Sequence, residues 1–182
     1  LNKGAGITIN KNEALKYLRV LKKMEKKDEN ENYIFLIPDM EKTFAEMKER
    51  ANLYRMGAIQ GHIESMCDYA TVLYYGEGVD VNKEEAAKYY KLSADQGNVI
   101  AMRSYAKMLS EGDGVKPNKD EEIYYLKMAA DNGDHISMNN YACSISNTEE
   151  SIKYLKNAAD LGNQIAMKNL AVKFLKRKWC PN

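Results

Sequence analysis

The chain has 182 residues, of which 45% are hydrophobic, so it can bury a core as one domain or as one continuous array. Its 27 basic and 26 acidic residues leave a net charge of +1, which excludes a general electrostatic attraction for nucleic acid or for an anionic membrane. The longest apolar cluster, residues 33–37, ends at Pro38 and is far too short to span a bilayer, so we expect no transmembrane segment.

The cysteines indicate the compartment. The chain has three cysteines, Cys67, Cys143 and Cys180, an odd number that is too small for a disulfide framework. They are typical of free thiols in a reducing environment, and we therefore expect a cytoplasmic protein. The sequence begins at Leu1, without Met and in the middle of a predicted repeat, so we expect it to be part of a longer protein.

An internal repeat dominates the sequence. Glycines at positions 61, 97, 133 and 162 each begin a related hexapeptide, at spacings of 36, 36 and 29 residues. The hexapeptides read GHIESM, GNVIAM, GDHISM and GNQIAM. A period of this size indicates an array of small helical units, each of which buries its apolar face only against its neighbours.

In chain order, the first predicted elements precede these four glycines. The stretch GAGITINKNEALKYL, which begins at Gly4, matches the stretch that begins at Gly76, two periods later, and predicts a partial repeat over residues 1–24. Residues 25–38 are charged and rich in Asn and end at a proline, so we predict a degenerate or irregular segment there. Residues 39–60 then correspond to the second helix of another partial repeat.

Each later unit begins with a predicted helix, named helix A. Met, an aromatic or Leu residue followed by Ala, and a large apolar residue recur at steps of three and four, the spacing of one helix face. The predicted core positions are Met66, Tyr69, Ala70 and Leu73; Met102, Tyr105, Ala106 and Leu109; Met138, Tyr141, Ala142 and Ile145; and Met167, Leu170, Ala171 and Phe174. The first two of these helices end at a Gly-x-Gly-Val turn, where we expect Gly78 and Gly114 to adopt the left-handed conformation.

A second helix, named helix B, follows each turn. It begins near Asn82 or Asn118, whose side chains can cap exposed amides, and acidic residues follow in the first turn, where the helix dipole favours them. Helix B is predicted over 82–96, 118–132 and 147–161. In the third unit a compressed connection replaces the glycine turn.

Together these elements predict an all-α fold, an α-solenoid of antiparallel helix pairs, as a single helical-repeat array over residues 1–182. The predicted full repeats cover 61–96, 97–132 and 133–161. A terminal helix and tail occupy 162–182.

The combination of a small residue in helix A, a Gly-x-Gly-Val turn, an acidic start of helix B and an aromatic-Lys ending before Gly resembles the Sel-one-like repeat family, which is related to tetratricopeptide repeats. The resemblance covers 61–178 and, with the gap at 25–38, also 4–60. It implies a right-handed superhelix that gathers other proteins, with helix A on the concave side. The family's usual Leu-Gly in helix A appears here as Tyr-Ala or Leu-Ala.

No pattern for chemistry stands out. His62 and His135 lie at helix starts, away from paired thiols or carboxylates, and the Gly-x-Gly turns follow helices and lack the Lys-Ser/Thr of a phosphate loop. We therefore predict no catalytic, cofactor or metal site, and no enzyme activity in these residues. We interpret the basic stretch 173–179 as a solvated helix end. The alternative is a contact with an acidic partner or with a membrane surface.

The predicted partner site is the groove side of the A helices. Residues two before and two after Tyr69, Tyr105, Tyr141 and Leu170 are expected to point away from the core and to form two ladders. These ladders, with two tyrosines at one edge, are Cys67, Arg103, Asn139 and Lys168; Thr71, Lys107, Cys143 and Val172; and Tyr74 and Tyr75. Such a polar, mildly basic strip suits a peptide or protein partner of acidic character.

Two functions remain open at this stage. The first is a non-catalytic scaffold or adaptor, in one variant a subunit of a larger assembly, that needs no cofactor and binds no nucleic acid. The alternative is the regulatory or targeting region of a larger enzyme, such as a protein kinase, whose catalytic domain lies outside this chain.

Overall fold

The computed structural model describes residues 36–146 and 148–179, and all regular structure within those residues is helical. The helices are α1 Leu36–Ile59, α2 Ile63–Tyr75, α3 Lys83–Asp95, α4 Val99–Glu111, α5 Lys119–Asp131, α6 His135–Ser144, α7 Thr148–Asp160 and α8 Gln164–Trp179. The predicted partial repeat at 1–24, most of the segment 25–38 and Cys180 lie outside the described residues.

By its internal contacts the chain divides into two units, residues 1–47 and 48–182. In the first unit the structure describes the beginning of α1, with Pro38 in its first turn. A proline is tolerated there because the first N–H groups of a helix have no partner within the helix. The helix therefore begins inside the stretch that the sequence assigned to an irregular segment.

In the second unit, consecutive helices pack against each other. The helix pairs are α2 with α3, α4 with α5 and α6 with α7, and each pair meets the next element through α3 and α4, α5 and α6, and α7 and α8. Helices α2, α4, α6 and α8 correspond to predicted A helices, and α3, α5 and α7 to predicted B helices. The predicted all-α solenoid of helix pairs is confirmed.

The helix starts follow from capping side chains. Asn82 accepts a hydrogen bond from the backbone N–H of Glu85 at 3.1 Å, and Asn118 does the same for Glu121 at 3.2 Å. Asn98 accepts from the backbone N–H of Ala101, at 2.9 Å, at the start of an A helix. Each cap satisfies one of the amides that a helix start leaves without a partner, which fixes where the helix begins.

The turns between helices A and B depend on left-handed glycines. Gly78 has φ 77° and Gly114 has φ 71°, as the Gly-x-Gly-Val motif predicts. The third unit differs, because α6 ends at Ser144, Ile145 is extended with φ −102°, and α7 begins at Thr148. This short connection confirms the predicted compression and explains the 29-residue spacing.

The core lies between the A and B helices of each pair. Each pair contributes one edge-to-face tyrosine contact, with ring centroids 4.8 to 5.1 Å apart. The paired tyrosines are Tyr69 and Tyr89, Tyr105 and Tyr125, and Tyr141 and Tyr154. Ser93, Ala129 and Ala158 are fully buried, which allows neighbouring helices to approach closely.

The terminal helix departs from the predicted pattern. Met167, Ala171 and Phe174 were predicted core positions, but all three are exposed. Within the described part of the chain α8 packs chiefly against α7, so the side of α8 that corresponds to the covered side of α4 and α6 faces solvent.

Candidate partner-binding surface

The geometry of the array is fixed by a contact between successive B helices. Lys91 and Asp95, one turn apart on α3, both reach the hydroxyl of Tyr125 on α5. The Lys91 ammonium donates to that hydroxyl at 2.6 Å, and the hydroxyl donates to Asp95. The same three residue types meet one unit later in Lys127, Asp131 and Tyr154. This recurring Lys–Asp–Tyr contact joins each B helix to the next.

The contact also sets the electrostatics of the joint. The Lys91 ammonium lies 5.1 Å from the ring centroid of Tyr125 and 5.5 Å from that of Tyr105, and it pairs with Glu121 at 3.2 Å. Burial, followed by the hydrogen bond to Asp95, raises the pKa of Tyr125 to about 12. The phenol therefore stays protonated at neutral pH and can donate to the carboxylate.

The first predicted ladder is only partly available to a partner. Cys67 and Asn139 were expected to point away from the core, but they are 5% and 7% exposed. This correction has a physical reason, since the position two residues before the tyrosine faces the following A helix. Asn169 of α8 donates to the side chain of Asn139 at 2.9 Å, and Arg103 of α4 pairs with Asp134, the cap of α6, at 2.6 Å. Lys168, the last member, is exposed.

The buried thiol of Cys67 is not a reactive group at neutral pH. Burial, with the neighbouring Asp68 carboxylate, raises its pKa to about 11, although the Arg103 charge opposes the shift. The thiolate, which is the nucleophilic form, is therefore scarce.

The second predicted ladder is more open. Thr71 is half-buried, because its hydroxyl donates to the Cys67 carbonyl at 2.9 Å and lies 2.9 Å from the hydroxyl of Tyr90. Lys107, Cys143 and Val172 are exposed on α4, α6 and α8.

The two edge tyrosines have different environments. Tyr74 is half-buried and donates to Asp113 at 2.8 Å, and Lys83 donates to the same carboxylate oxygen at 2.8 Å. Burial raises the pKa of Asp113, but these two hydrogen bonds outweigh it and the pKa is lowered overall. Tyr75 packs edge-to-face on Tyr74 with centroids 4.9 Å apart and is 63% exposed. Tyr74 thus connects two repeats, and Tyr75 is the tyrosine that a partner can reach.

Five of the ten predicted residues therefore remain open to solvent on successive A helices. We name this surface the A face; its members are Tyr75, Lys107, Cys143, Lys168 and Val172. Its positive charge comes from two lysines, since Arg103 is paired with Asp134. The ion pair between Lys107 and Glu111 is long, at 4.0 Å.

Other candidate sites are less developed. A cleft of about 490 Å³ lies along α3, lined by Asn82, Glu84, Glu85, Lys88, Tyr89 and Leu92, and contains none of the predicted partner residues. His62 is exposed at the start of α2, and His135 is half-buried with its carbonyl bonded to Asn163 at 2.9 Å. Within residues 36–146 and 148–179, no group of three His, Cys, Asp or Glu side chains could hold a metal ion. None of the helices in that part of the chain is long and apolar enough to cross a membrane.

The Lys–Asp–Tyr contact is a feature that the sequence analysis missed. Its signal is visible in the segments YYKLSAD, YYLKMAAD and KYLKNAAD, where Lys and Asp recur four residues apart near the end of each B helix. Predicting the contact from these residues required knowing that the tyrosine of the next B helix lies between the Lys and the Asp.

The capped helix pairs, left-handed Gly-x-Gly turns and edge-to-face tyrosine pairs define an α-helical repeat protein. The chain belongs to the Sel1 repeat family, whose model, the Sel1 repeat, matches residues 1–20, 63–98, 99–134 and 144–163, more than half of the sequence. A search of curated proteins gives no match.

Solved structures show the same fold at low sequence identity. A protective antigen present in uropathogenic Escherichia coli strains, which displays an SLR fold, is 22% identical with a TM-score of 0.65. The alignment covers 71% of this chain and 30% of that one, so the chain spans less than a third of that structure. A Sel1 repeat protein from Oxalobacter formigenes is 19% identical with a TM-score of 0.59, over 65% of this chain and 94% of that one.

Proposed function

We propose that the chain is a non-catalytic scaffold that binds a peptide or protein segment of acidic character along the A face. The observation that supports this proposal is the exposure of the A face on four successive A helices, the first three of which bury their opposite sides in the core. A surface repeated along an array suits an extended or helical segment, which can contact several units at once.

The chemistry of the A face favours acidic residues in the partner. Lys107 and Lys168 supply positive charge, and Tyr75 and Val172 supply apolar contact area beside it. Aromatic anchors contribute much of the energy of such interfaces, while exposed charges mainly increase the rate and selectivity of association. Membership of the Sel1 repeat family is consistent with this proposal, since the resemblance implies a protein-gathering scaffold.

The absence of enzyme activity is part of the proposal. Cys67 is buried with a raised pKa, and the exposed Cys143 has no histidine among the contacts described for it. A nucleophile needs an adjacent base or a lowered pKa to act at neutral pH.

We also place the protein in the cytoplasm, because free thiols such as Cys67 and Cys143 suit a reducing compartment. Fractionation of cells that express the intact protein tests this placement.

The binding proposal is tested with a random peptide display library selected on the immobilised chain. We expect the selected peptides to be enriched in Asp and Glu and to bind the double variant Lys107→Glu, Lys168→Glu about tenfold more weakly or worse. The matched control is Lys88→Glu, Lys153→Glu, which makes the same charge change at exposed positions of two B helices. The control should bind like the unmodified chain.

Two results would contradict the proposal. One is selection of peptides without acidic enrichment whose affinity is unchanged in the double variant. The other is an equal loss in the double variant and in the control, which would reflect net charge rather than the A face. Melting temperatures of all three proteins establish that each is folded.

A further inference from the structure

A row of exposed isoleucines crosses three consecutive A helices. The fourth residue of the repeated hexapeptide is Ile100 in α4, Ile136 in α6 and Ile165 in α8, and these side chains are 57%, 40% and 62% exposed. The residue that follows each isoleucine is fully buried, so the isoleucines lie at the border between the packed side and the open side of their helices. We name these three residues the isoleucine row.

The exposure of the row does not depend on a missing neighbour. Helices α4 and α6 each pack against the helix before and the helix after them, and the methionines two residues after Ile100 and Ile136 are buried. Ile165 on α8 is exposed to a similar degree as Ile100. The row therefore belongs to the long side of the array, and a further helix packed on the end of the array would not cover it.

The isoleucine row borders the A face. Residues seven apart in an α-helix lie on the same side, about 10 Å apart along the helix axis. The residues seven after the three isoleucines are Lys107, Cys143 and Val172, which are members of the A face. A segment that lies along the A face can therefore also contact the row.

Charges of opposite sign lie at the two ends of the row. In α2 the place of the isoleucine is taken by Glu64, and Asp68 follows one turn later; both are exposed. Partial burial, followed by the Glu64 carboxylate, raises the pKa of Asp68 above its ordinary value, so a cation placed here would relieve a repulsion between like charges. At the other end Lys168 is exposed one turn after Ile165.

The spacing of the row suits an extended segment. Successive A helices touch, since Arg103 of α4 pairs with Asp134 at 2.6 Å and Asn169 of α8 donates to Asn139 of α6 at 2.9 Å. Helices in contact lie about 8–10 Å apart, so we expect the isoleucines to have about the same spacing. A polyproline II segment rises about 3.1 Å per residue with three residues per turn, and it places every third side chain on one side about 9 Å apart. A β-strand repeats at about 7 Å and does not match.

The sequence itself does not supply such a segment. Residues 1–20 match the repeat model, and the connections between the described helices join consecutive helices and cannot cross three of them. The stretch 21–35 does not contain three apolar residues at successive steps of three, and residues 180–182 are too short. We therefore assign the row to a segment of a partner protein.

We propose that the partner segment on the A face is extended, with an apolar residue at every third position, a basic residue at one end and acidic residues at the other. This inference rests on the proposed function and specifies its partner. The apolar side chains of the segment pack on the isoleucine row, its basic residue pairs with Glu64 and Asp68, and its acidic residues pair with Lys168. The apolar contacts supply most of the affinity, and the charges determine which end lies over α2.

The first test uses a fluorescent synthetic peptide, Lys-Pro-Pro-Leu-Pro-Pro-Leu-Pro-Pro-Leu-Glu-Glu, and measures its binding to the chain by anisotropy. Its prolines favour the polyproline II conformation. The double variant Ile100→Ser, Ile136→Ser should bind the peptide about tenfold more weakly or worse. The matched control is Leu92→Ser, Leu161→Ser, which removes two exposed leucines outside the A face, and it should bind like the unmodified chain. Melting temperatures establish that each variant is folded.

The second test examines the direction of the segment. Glu64→Lys should weaken binding of the peptide about threefold, the effect of an exposed charge pair. The control Glu84→Lys makes the same charge change at an exposed position of α3 and should have little effect. A peptide with Glu in place of its Lys should bind the Glu64→Lys variant more tightly than it binds the unmodified chain. This rescue depends on charge pairing, and a loss of folding would not produce it.

The inference is overturned if the peptide does not bind, if the isoleucine variant binds it as the unmodified chain does, or if the leucine control loses as much. If peptides selected from the display library still depend on Lys107 and Lys168 in those cases, the proposed function stands and this inference alone fails. Binding that Glu64→Lys does not change overturns the assigned direction. A dimer of the chain that dissociates in the isoleucine variant would assign the row to a second copy and also overturn the inference.

Discussion

Gly114 lies against the backbone of Lys83, so close that a Cβ atom added to Gly114 would come within 2.4 Å of the Lys83 carbonyl carbon and oxygen. The turn after α4 thus packs directly on the start of α3 in the preceding unit. Asp113, next to Gly114, accepts hydrogen bonds from Lys83 and from Tyr74 of α2, both at 2.8 Å. Each unit is therefore joined to the one before it by its turn as well as by its helices.

Replacing Gly114 with Ala should destabilise the array by more than about 2 kcal/mol, because it combines a left-handed backbone with a steric overlap that involves backbone atoms. The matched control is Gly133→Ala. Gly133 also has a positive φ, 92°, but nothing lies within 4 Å of its added Cβ. The free energy of unfolding of this variant should therefore fall by only about 1 kcal/mol, the cost of placing Ala in a left-handed backbone. Urea unfolding of both variants measures the difference. Equal losses would show that the turn moves away from Lys83 without cost.

Tyr125→Phe should lower the free energy of unfolding by about 1 to 2 kcal/mol. The substitution removes the hydroxyl that joins Lys91 to Asp95 and keeps the ring that packs on Tyr105. The control is Tyr124→Phe, which makes the same chemical change at a neighbouring side chain that is 57% exposed, and it should have little effect. If both variants unfold at the same urea concentration as the unmodified chain, the Lys–Asp–Tyr contact does not stabilise the joint.

The stability of the array should fall between about pH 10 and pH 12. Burial, with hydrogen bonds to Asp95 and Glu150 respectively, raises the pKa of Tyr125 and of Tyr141 from 10.0 to about 12. In this window the unfolded tyrosines lose protons that the folded ones keep, so the folded state binds more protons and stability decreases as pH rises. The stabilisation is complete below pH 10. Melting temperatures measured across this range should fall less steeply for Tyr141→Phe, which has no phenol proton at that position. An identical slope would show that Tyr141 does not contribute to the loss of stability.

The helices could be predicted from the sequence because their signals are local and repeated. Asn82 and Asn118 marked the starts of α3 and α5 to within a residue, since an N-cap acts on amides two or three residues away. Gly78 and Gly114 marked the turns, because glycine readily adopts a positive φ that other residues avoid. The recurrence of both signals 36 residues apart, at Asn82 and Asn118 and at Gly78 and Gly114, made each signal stronger than it would be alone.

The exposure of the partner residues could not be predicted as well, because it depends on contacts between units. Cys67 and Asn139 lie on the side of helix A that the sequence analysis assigned to the groove, yet the next A helix covers them. Arg103 pairs with Asp134, 31 residues away, so its charge is not free for a partner. Helix periodicity gives the direction of a side chain within its own helix, but it does not show how far the next helix extends over it.

The two cysteines that the structure describes should differ strongly in reactivity. Cys143 is exposed, whereas Cys67 is 5% exposed and has a pKa raised by burial from 9.0 to about 11. A pKa shift of that size alone lowers the thiolate fraction at neutral pH by about a hundredfold, and burial slows access further. In a Cys180→Ser background, iodoacetamide should therefore alkylate Cys143 at least about a hundred times faster than Cys67, as measured by mass spectrometry of the peptides. In urea both residues should react at similar rates, which controls for the intrinsic reactivity of each site. Comparable rates in the folded protein would show that the position of Cys67 is open to solvent, and would return it to the A face.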